Sequence, residues 1–250
     1  SLLYNAMINP ITGLSIKGVI WYQGESNAGR AYEYRHTFPL LINDWRKQWQ
    51  QGDFPFLFVQ LTNFNWANGD SNKGSLWAEL RESQTYALSL PKTGMAVTVD
   101  IGDANDLHPK DKQNVGKRLA AIALQNTYGQ KPGYQYPSFQ AVKINGSGAI
   151  LTFKNTGRYL ITPDRNGYVK GFEIAGADHI FHYATAFIDG NNVTVCSPKV
   201  DEPVAVRYAW ADDVSDANVF NSDGYPLAPF RTDNWKGITE TARYKLLQIF

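Results

Sequence analysis

The sequence predicts an α/β fold, in which a parallel sheet layered with helices is followed by a smaller antiparallel β region. Three observations carry this. Short β-branched and aromatic runs alternate with helical stretches over residues 16–129. Connections of that length join parallel neighbours through right-handed crossovers, with helices on both sheet faces. After Gly129 the helical period stops, and short strand-like runs bounded by Asn, Gly and Pro follow.

The first strand is "IKGVIWY" (16–22). Residues 30–51 then show helical spacing, with Phe38, Leu41, Ile42, Trp45 and Trp49 on one side and Gly52 as the stop. "FPFLFVQL" (54–61) is the second strand, and "GSLWAELRESQTYALSL" (74–90) is rich in helix formers. "GMAVTVD" (94–100) is the third strand. The stretch 109–129 reads as a helix with Pro109 at its first position and Gly129 past its end. Beyond it, "QAVKIN", "GAILTFKNT", "GFEIAG", "YATAFIDG", "NNVTVCSP" and "PVAVRYAW" have strand character, with a hairpin at Gly190. The chain thus divides into an α/β region (1–131), a β-rich, sandwich-like region (132–236) and a C-terminal segment (237–250) of helical pattern. Three strands are few where about five or six are usual. With Ser1 in place of an initiator Met, the pattern predicts a processed or truncated chain lacking upstream strands.

Composition excludes several classes of partner. Lys and Arg number 24 against 23 Asp and Glu, with no basic stripe or acidic tail, which argues against nucleic acid and anionic membranes. No apolar run approaches the roughly 18 residues of a membrane span, and no signal-peptide pattern opens the chain. Cys196 is the single cysteine and reads as a small apolar strand residue. Aromatic residues make up 14% of the chain, so stacking on sugar rings competes with ordinary core packing as their use.

In a parallel α/β sheet, ligands bind beyond the carboxyl ends of the strands. Three polar loops fall there: "QGESNAGR", "TNFNWANGDSNKG" and "IGDANDLHPK". His108 in the third, with Asp103 and Asp106 beside it, is the candidate general base, because a catalytic imidazole needs an acid to fix its tautomer. In the first loop, Glu25 is a carboxylate for that imidazole or a helix N-terminal charge, and Gln23 is a donor for an oxyanion. Asn27, Asn63 and Trp66 are candidate substrate contacts. "GESNA" approaches the Gly-x-Ser-x-Gly elbow of many hydrolases, yet bulky Glu25 and Asn27 flank Ser26, so capping is the preferred role for Ser26. His179 and His182 lie two apart in the β region, where a solvated strand face is preferred to a metal pair.

The combination of "KGVIWYQGESNA" and "DIGDANDLHPKDKQNVGKRLA" resembles the sialate O-acetylesterase family, carbohydrate esterases of the SGNH hydrolase superfamily. "LLYNAMINP", "GFEIAG", "PVAVRYAW" and "PFRTD" extend the likeness over nearly the whole chain. The resemblance implies a partial SGNH-type (flavodoxin-like) three-layer α/β/α fold and a metal-free, cofactor-free Ser-His hydrolase acting on O-acetylated sugars. It also implies a periplasmic or extracellular home. His108 then matches the catalytic histidine, Glu25 the acid of the Gln-Gly-Glu block and Gln23 the oxyanion contributor. The family's serine belongs to a Gly-Gln-Ser-Asn block that this sequence lacks, so the missing N-terminal part of the same enzyme becomes an expected partner and this chain alone is expected to be inactive. Three residues before His108 stands Asn105 rather than an acid, which leaves Asp106, Asp103 and Glu25 as alternatives for the orienting group, with the weight on Glu25. A non-catalytic carbohydrate-binding module using Trp66, Trp77, Trp210 and Trp235, or an esterase using Ser26, are the competing readings.

Overall fold

The structure is a computed structural model that describes residues 2–130 and 134–243. In chain order, β1 (Val19–Trp21) leads to α1 (Ala31–Trp49), β2 (Phe56–Val59) to α2 (Leu76–Tyr86), and β3 (Thr93–Ala96) to α3 (Lys112–Asn126). The three strands form one parallel sheet in the order β1-β2-β3. Successive side chains of β2 point to opposite faces, as strand geometry requires. Phe56 and Phe58 join Phe38 and Ile42 of α1 and Leu80 of α2, while Leu57 and Val59 meet Val115, Leu119 and Ile122 of α3.

Local chemistry sets the helix ends. The Ser75 hydroxyl accepts from the Ala78 amide at 3.0 Å and caps α2. The Asp111 carboxylate does the same for α3 from Asn114, at 3.0 Å. The helix therefore starts at Lys112 rather than at Pro109, because the Asp111 carboxylate accepts the otherwise free Asn114 amide and sets the N-cap there. α1 stops on Gln50 in the left-handed region, two residues before Gly52.

The β region comprises β4 (Ser138–Asn145), β5 (Gly148–Lys154), β6 (Leu160–Ile161), β7 (Phe172–Ala175), β8 (Phe181–Tyr183), β9 (Thr185–Asp189), β10 (Asn192–Cys196), β11 (Ala205–Tyr208), β12 (Phe220–Asn221) and β13 (Phe230–Arg231). Two four-stranded antiparallel sheets result, β4-β5-β10-β9 and β13-β11-β7-β8, with β6 and β12 as a separate pair. Asp189 pairs with Asn192 across Gly190, whose φ of +60° forms the expected hairpin. One contiguous core runs from Phe38 and Phe58 into Leu151, Ile174, Val206 and Phe230, so the α/β and β regions share an interior. A chain of ion pairs reinforces the seam. Arg35 of α1 and Arg231 of β13 both reach Glu82 of α2 at 2.7 Å, and Arg207 of β11 reaches Asp233 at 2.9 Å. The helix expected over 237–250 is a single turn at 238–241 where described, and 244–250 lies outside the described residues.

Two features of the sheet are unusual. The outer edge of β1 has no strand partner among the described residues, and Ile20, on the α3 face, is 70% exposed. Beside it lies a groove of about 160 Å³ walled by Ile20, Leu57, Ala123 and Tyr128. Among the described residues, no helix is long and apolar enough to cross a membrane.

Candidate active site

The loops leaving the carboxyl ends of β1, β2 and β3 are locked together. Gly24 turns the first loop at φ +158°, where a Cβ would press on Gln84 Nε2 and Leu80, each at 3.1 Å. The Gln84 amide bridges two loops, donating to the Gln23 carbonyl at 3.2 Å and accepting from the Leu61 amide at 2.8 Å. In the third loop, a Cβ on Gly102 would overlap Thr62 Oγ1 and Asn63 Oδ1, so only glycine permits this approach. The Asn65 amide donates to the Ala104 carbonyl at 2.9 Å, and Arg118 grips both carboxylate oxygens of Asp100 at 2.6 Å. The His108 loop is thereby fixed to α3 at one end and to the second loop along its length.

Between these loops opens a pocket of about 470 Å³, lined by Glu25, Ser26, Trp66, Leu76, Trp77 and Leu107. Trp66 is 60% exposed and lies nearly parallel to the buried Trp77, centroids 6.3 Å apart at 15°. The Trp77 indole donates to the Thr62 carbonyl at 3.0 Å, which fixes the lower ring and hence the upper one. An exposed indole on a rigid base suits the C–H face of a sugar ring.

The amide of Gln23 is held at both ends. The Tyr34 hydroxyl donates to Gln23 Oε1 at 3.1 Å, and Gln23 Nε2 donates to Asn27 Oδ1 at 2.8 Å, leaving one N–H uncommitted. Burial, reinforced by the negative charge of Glu25, pushes Tyr22 up to about 12, and burial does the same for Tyr34, so both phenols remain donors. The Glu25 carboxylate is half-buried on the pocket wall, with no hydrogen-bond or ion-pair partner among the described residues.

His108 follows the pocket residue Leu107 and is exposed; its ring makes no hydrogen bond among the described residues, to Glu25 or to any other group. Asp106 does not meet the ring either. Its carboxylate accepts from the His108 backbone amide at 2.8 Å, and Asp103 accepts from Asn105 at 2.9 Å, so both acids shape the turn beneath the histidine. Capping by Ser26 is not found, since the 3-10 turn Glu25–Arg30 has no side-chain cap, and Asn27, a candidate substrate contact, receives the Gln23 amide. Ser26 is exposed at a negative φ, without the strained turn of a nucleophile elbow. Asn63 is 3% exposed and donates to Ser215 Oγ at 2.9 Å, which commits its amide to the β region and away from a ligand. His179 stacks on Trp235 at 3.6 Å, in a turn apart from His182 on β8.

The β region contributes what the sequence reading missed. Asp212, 1% exposed, accepts from the amides of Ala67 and Gly69 at 3.0 Å each and from Ser75 Oγ at 2.6 Å. It therefore ties the Trp66 loop, from Ala67 onward, to the start of α2. Arg81 of α2 crosses the same seam, donating to the carbonyls of Leu61, Thr62, Ala211 and Asp212. The only sequence signal was the acid pair in "AWADD" just past a strand end.

Glu173 on β7 belongs to this seam and accepts from Ser71 Oγ at 2.5 Å. Burial raises its pKa above the ordinary carboxylate value, against the lowering effect of Ser71 and Arg207. A raised folded-state pKa means that the folded chain holds this proton more tightly than the unfolded chain. Its stabilising contribution is complete below the unfolded pKa and is lost as pH rises through the folded value. Glu173→Gln, which keeps a neutral side chain, is therefore expected to raise Tm relative to wild type at pH 7 and to lose that advantage near pH 4. Equal Tm differences at both pH values in thermal melts would count against it.

The family described as "Carbohydrate esterase, sialic acid-specific acetylesterase" matches residues 1–125. Sialate O-acetylesterases of Mus musculus and Homo sapiens are similar at 34% and 32% identity, each alignment covering 84% of this chain but 42% and 44% of the relative. The crystal structure of a carbohydrate acetylesterase from Xanthomonas citri superposes with a TM-score of 0.88 at 48% identity, over 93% of this chain and 54% of that one. The chain thus spans about half the length of these relatives or less. With the site's loops, half of its length and most of its fold in agreement, the chain belongs to the sialic acid-specific acetylesterase family of carbohydrate esterases.

Proposed function

We propose that this chain is the histidine-bearing portion of a carbohydrate O-acetylesterase with an SGNH-type fold, which removes acetyl groups from sugars by serine–histidine hydrolysis. The observation that carries the reading is the convergence of Glu25, Trp66 and the His108 loop on one pocket at the carboxyl edge of the sheet. The nucleophilic serine comes from a part of the whole enzyme outside these residues. The open edge of β1 and the exposed Ile20 support this, since another parallel strand would cover both. The family's glycan substrates favour a periplasmic or extracellular home.

In that reaction the serine hydroxyl attacks the acetyl carbonyl while His108 accepts its proton. Glu25, without another partner, stabilises the resulting imidazolium, and the free N–H of Gln23 donates to the oxyanion together with backbone amides. His108 returns the proton to the departing sugar hydroxyl. Water then attacks the acetyl-serine, again with His108 as base, and acetate leaves. Trp66 holds the sugar ring.

Acetate release from acetylated sugars tests the reading. The whole enzyme is expected to turn over, and the 250-residue chain alone is not. Turnover by the chain alone, abolished by Ser26→Ala, would make Ser26 the nucleophile and replace this reading. A pure binding module is less well supported, because Trp77 and Trp210 are buried and Trp235 is half-buried under His179.

A further inference from the structure

A second cleft, of about 500 Å³, lies on the seam between the Trp66 loop and the β region. Its size falls within the range of small-molecule sites. One wall is the second loop, at Asp70 and Asn72. The other carries Glu173 of β7 and residues His182 and Tyr183 of the edge strand β8, with Lys199 beyond β10. The walls are fixed to each other: the Asn72 side chain donates to the Phe181 carbonyl at 3.0 Å and accepts from its amide at 2.8 Å.

The groups facing this cleft have the chemistry of a sugar site. Tyr183 is 82% exposed on an edge strand, paired with Glu173 and so on its face of the sheet, and the Tyr183 phenol and the Lys199 ammonium have no side-chain partner among the described residues. They offer an aromatic face and donors, while Glu173 offers a carboxyl that Ser71 engages through one oxygen. Adjacent donors and acceptors of this kind match vicinal hydroxyls, each of which gives and takes a hydrogen bond. Carboxyls on Asp70 and Glu173 oppose an anionic ligand, so the expected unit is neutral.

The position is equally informative. Asp70 follows Trp66 by four residues, so the two Cα atoms are at most about 14 Å apart. Between them, Asp212 holds the amides of Ala67 and Gly69, so the spacing is rigid. A short oligosaccharide bridges that distance. We propose that this cleft is an accessory glycan subsite, holding a neutral pyranose unit of the chain whose acetylated residue stacks on Trp66. The proposal rests on the esterase reading for its choice of substrate.

The test uses the whole enzyme and its Tyr183→Ala and Lys199→Ala variants, neither of which touches the pocket of Glu25 and Trp66. Three esters are compared: 4-nitrophenyl acetate, acetylated xylohexaose and an O-acetylated sialoside. The expected result is unchanged kinetics on 4-nitrophenyl acetate and the sialoside, with a rise in KM of about tenfold on the hexasaccharide, as the loss of one ring contact or charged hydrogen bond implies. Equal KM for wild type and variants on the hexasaccharide would overturn the subsite, and a loss confined to the sialoside would overturn its neutral character. If wild type hydrolyses none of the esters, the esterase reading fails by itself. The subsite is then decided by calorimetric titration with unacetylated xylohexaose: binding weakened in both variants sustains it, and equal binding or none overturns it.

Discussion

Replacing His108 by Ala in the whole enzyme is expected to lower kcat for acetate release by about 10²–10⁴-fold, the range spanned by a single positioned general base. The fold should be untouched. The ring is exposed and makes no hydrogen bond among the described residues, and the turn beneath it is held through its backbone amide, which alanine retains. Surface changes of that kind stay within about 0.5 kcal/mol, so Tm is expected to match wild type. Added imidazole should restore part of the lost rate, because a diffusible base can occupy the vacated space. A variant with kcat within threefold of wild type and no response to imidazole would remove His108 from the reaction.

The second large effect is structural. Arg81 is fully buried, and its guanidinium serves four backbone carbonyls, two from the second loop and two from the β region. Burial lowers its pKa to about 9, with Asp212 and Asp213 opposing the shift, so it remains charged at neutral pH. Arg81→Met fills much of the volume yet leaves those carbonyls buried without donors, at about 1–3 kcal/mol for each that finds no water. A total of about 4 kcal/mol is a large share of the usual 5–15 kcal/mol of stability. For a chain of this size it corresponds to a Tm lower by about 10 °C. Arg81→Lys keeps the charge but loses the planar fork and should fall between the two. A Tm within 2 °C of wild type for Arg81→Met would show that the carbonyls are satisfied in another way.

The two predictions differ in how visible their residues are in the sequence. The role proposed for His108 rests on local signals in the sequence: an acid-rich loop, a strand end before it and a helix after it. What its neighbours do was not legible. Asp106 and Asp103 looked like partners for an imidazole, but two-residue spacing favours a carboxylate bonding the backbone just ahead of it, and both do so. Asn63 looked like a ligand contact in a polar loop, whereas it bonds Ser215, 152 positions away. The four tryptophans were equivalent in the sequence, and packing left only Trp66 mostly exposed.

The sequence by itself determined the local and periodic features. Alternation along β2 assigns its two faces, Gly190 closes its hairpin, and three polar loops fall on the carboxyl edge of the sheet. Each depends on residues a few positions apart, so backbone geometry and period suffice. Only the tertiary structure decided that the β region holds the loops around the pocket, although no β-region residue lines it. Asp212 reaches Ser75 across 137 positions, and Arg81 joins carbonyls on both sides of the seam. Contacts at that separation leave no periodic trace in the chain. They arise because buried amides, carbonyls and charges must find partners once the shared core has excluded water.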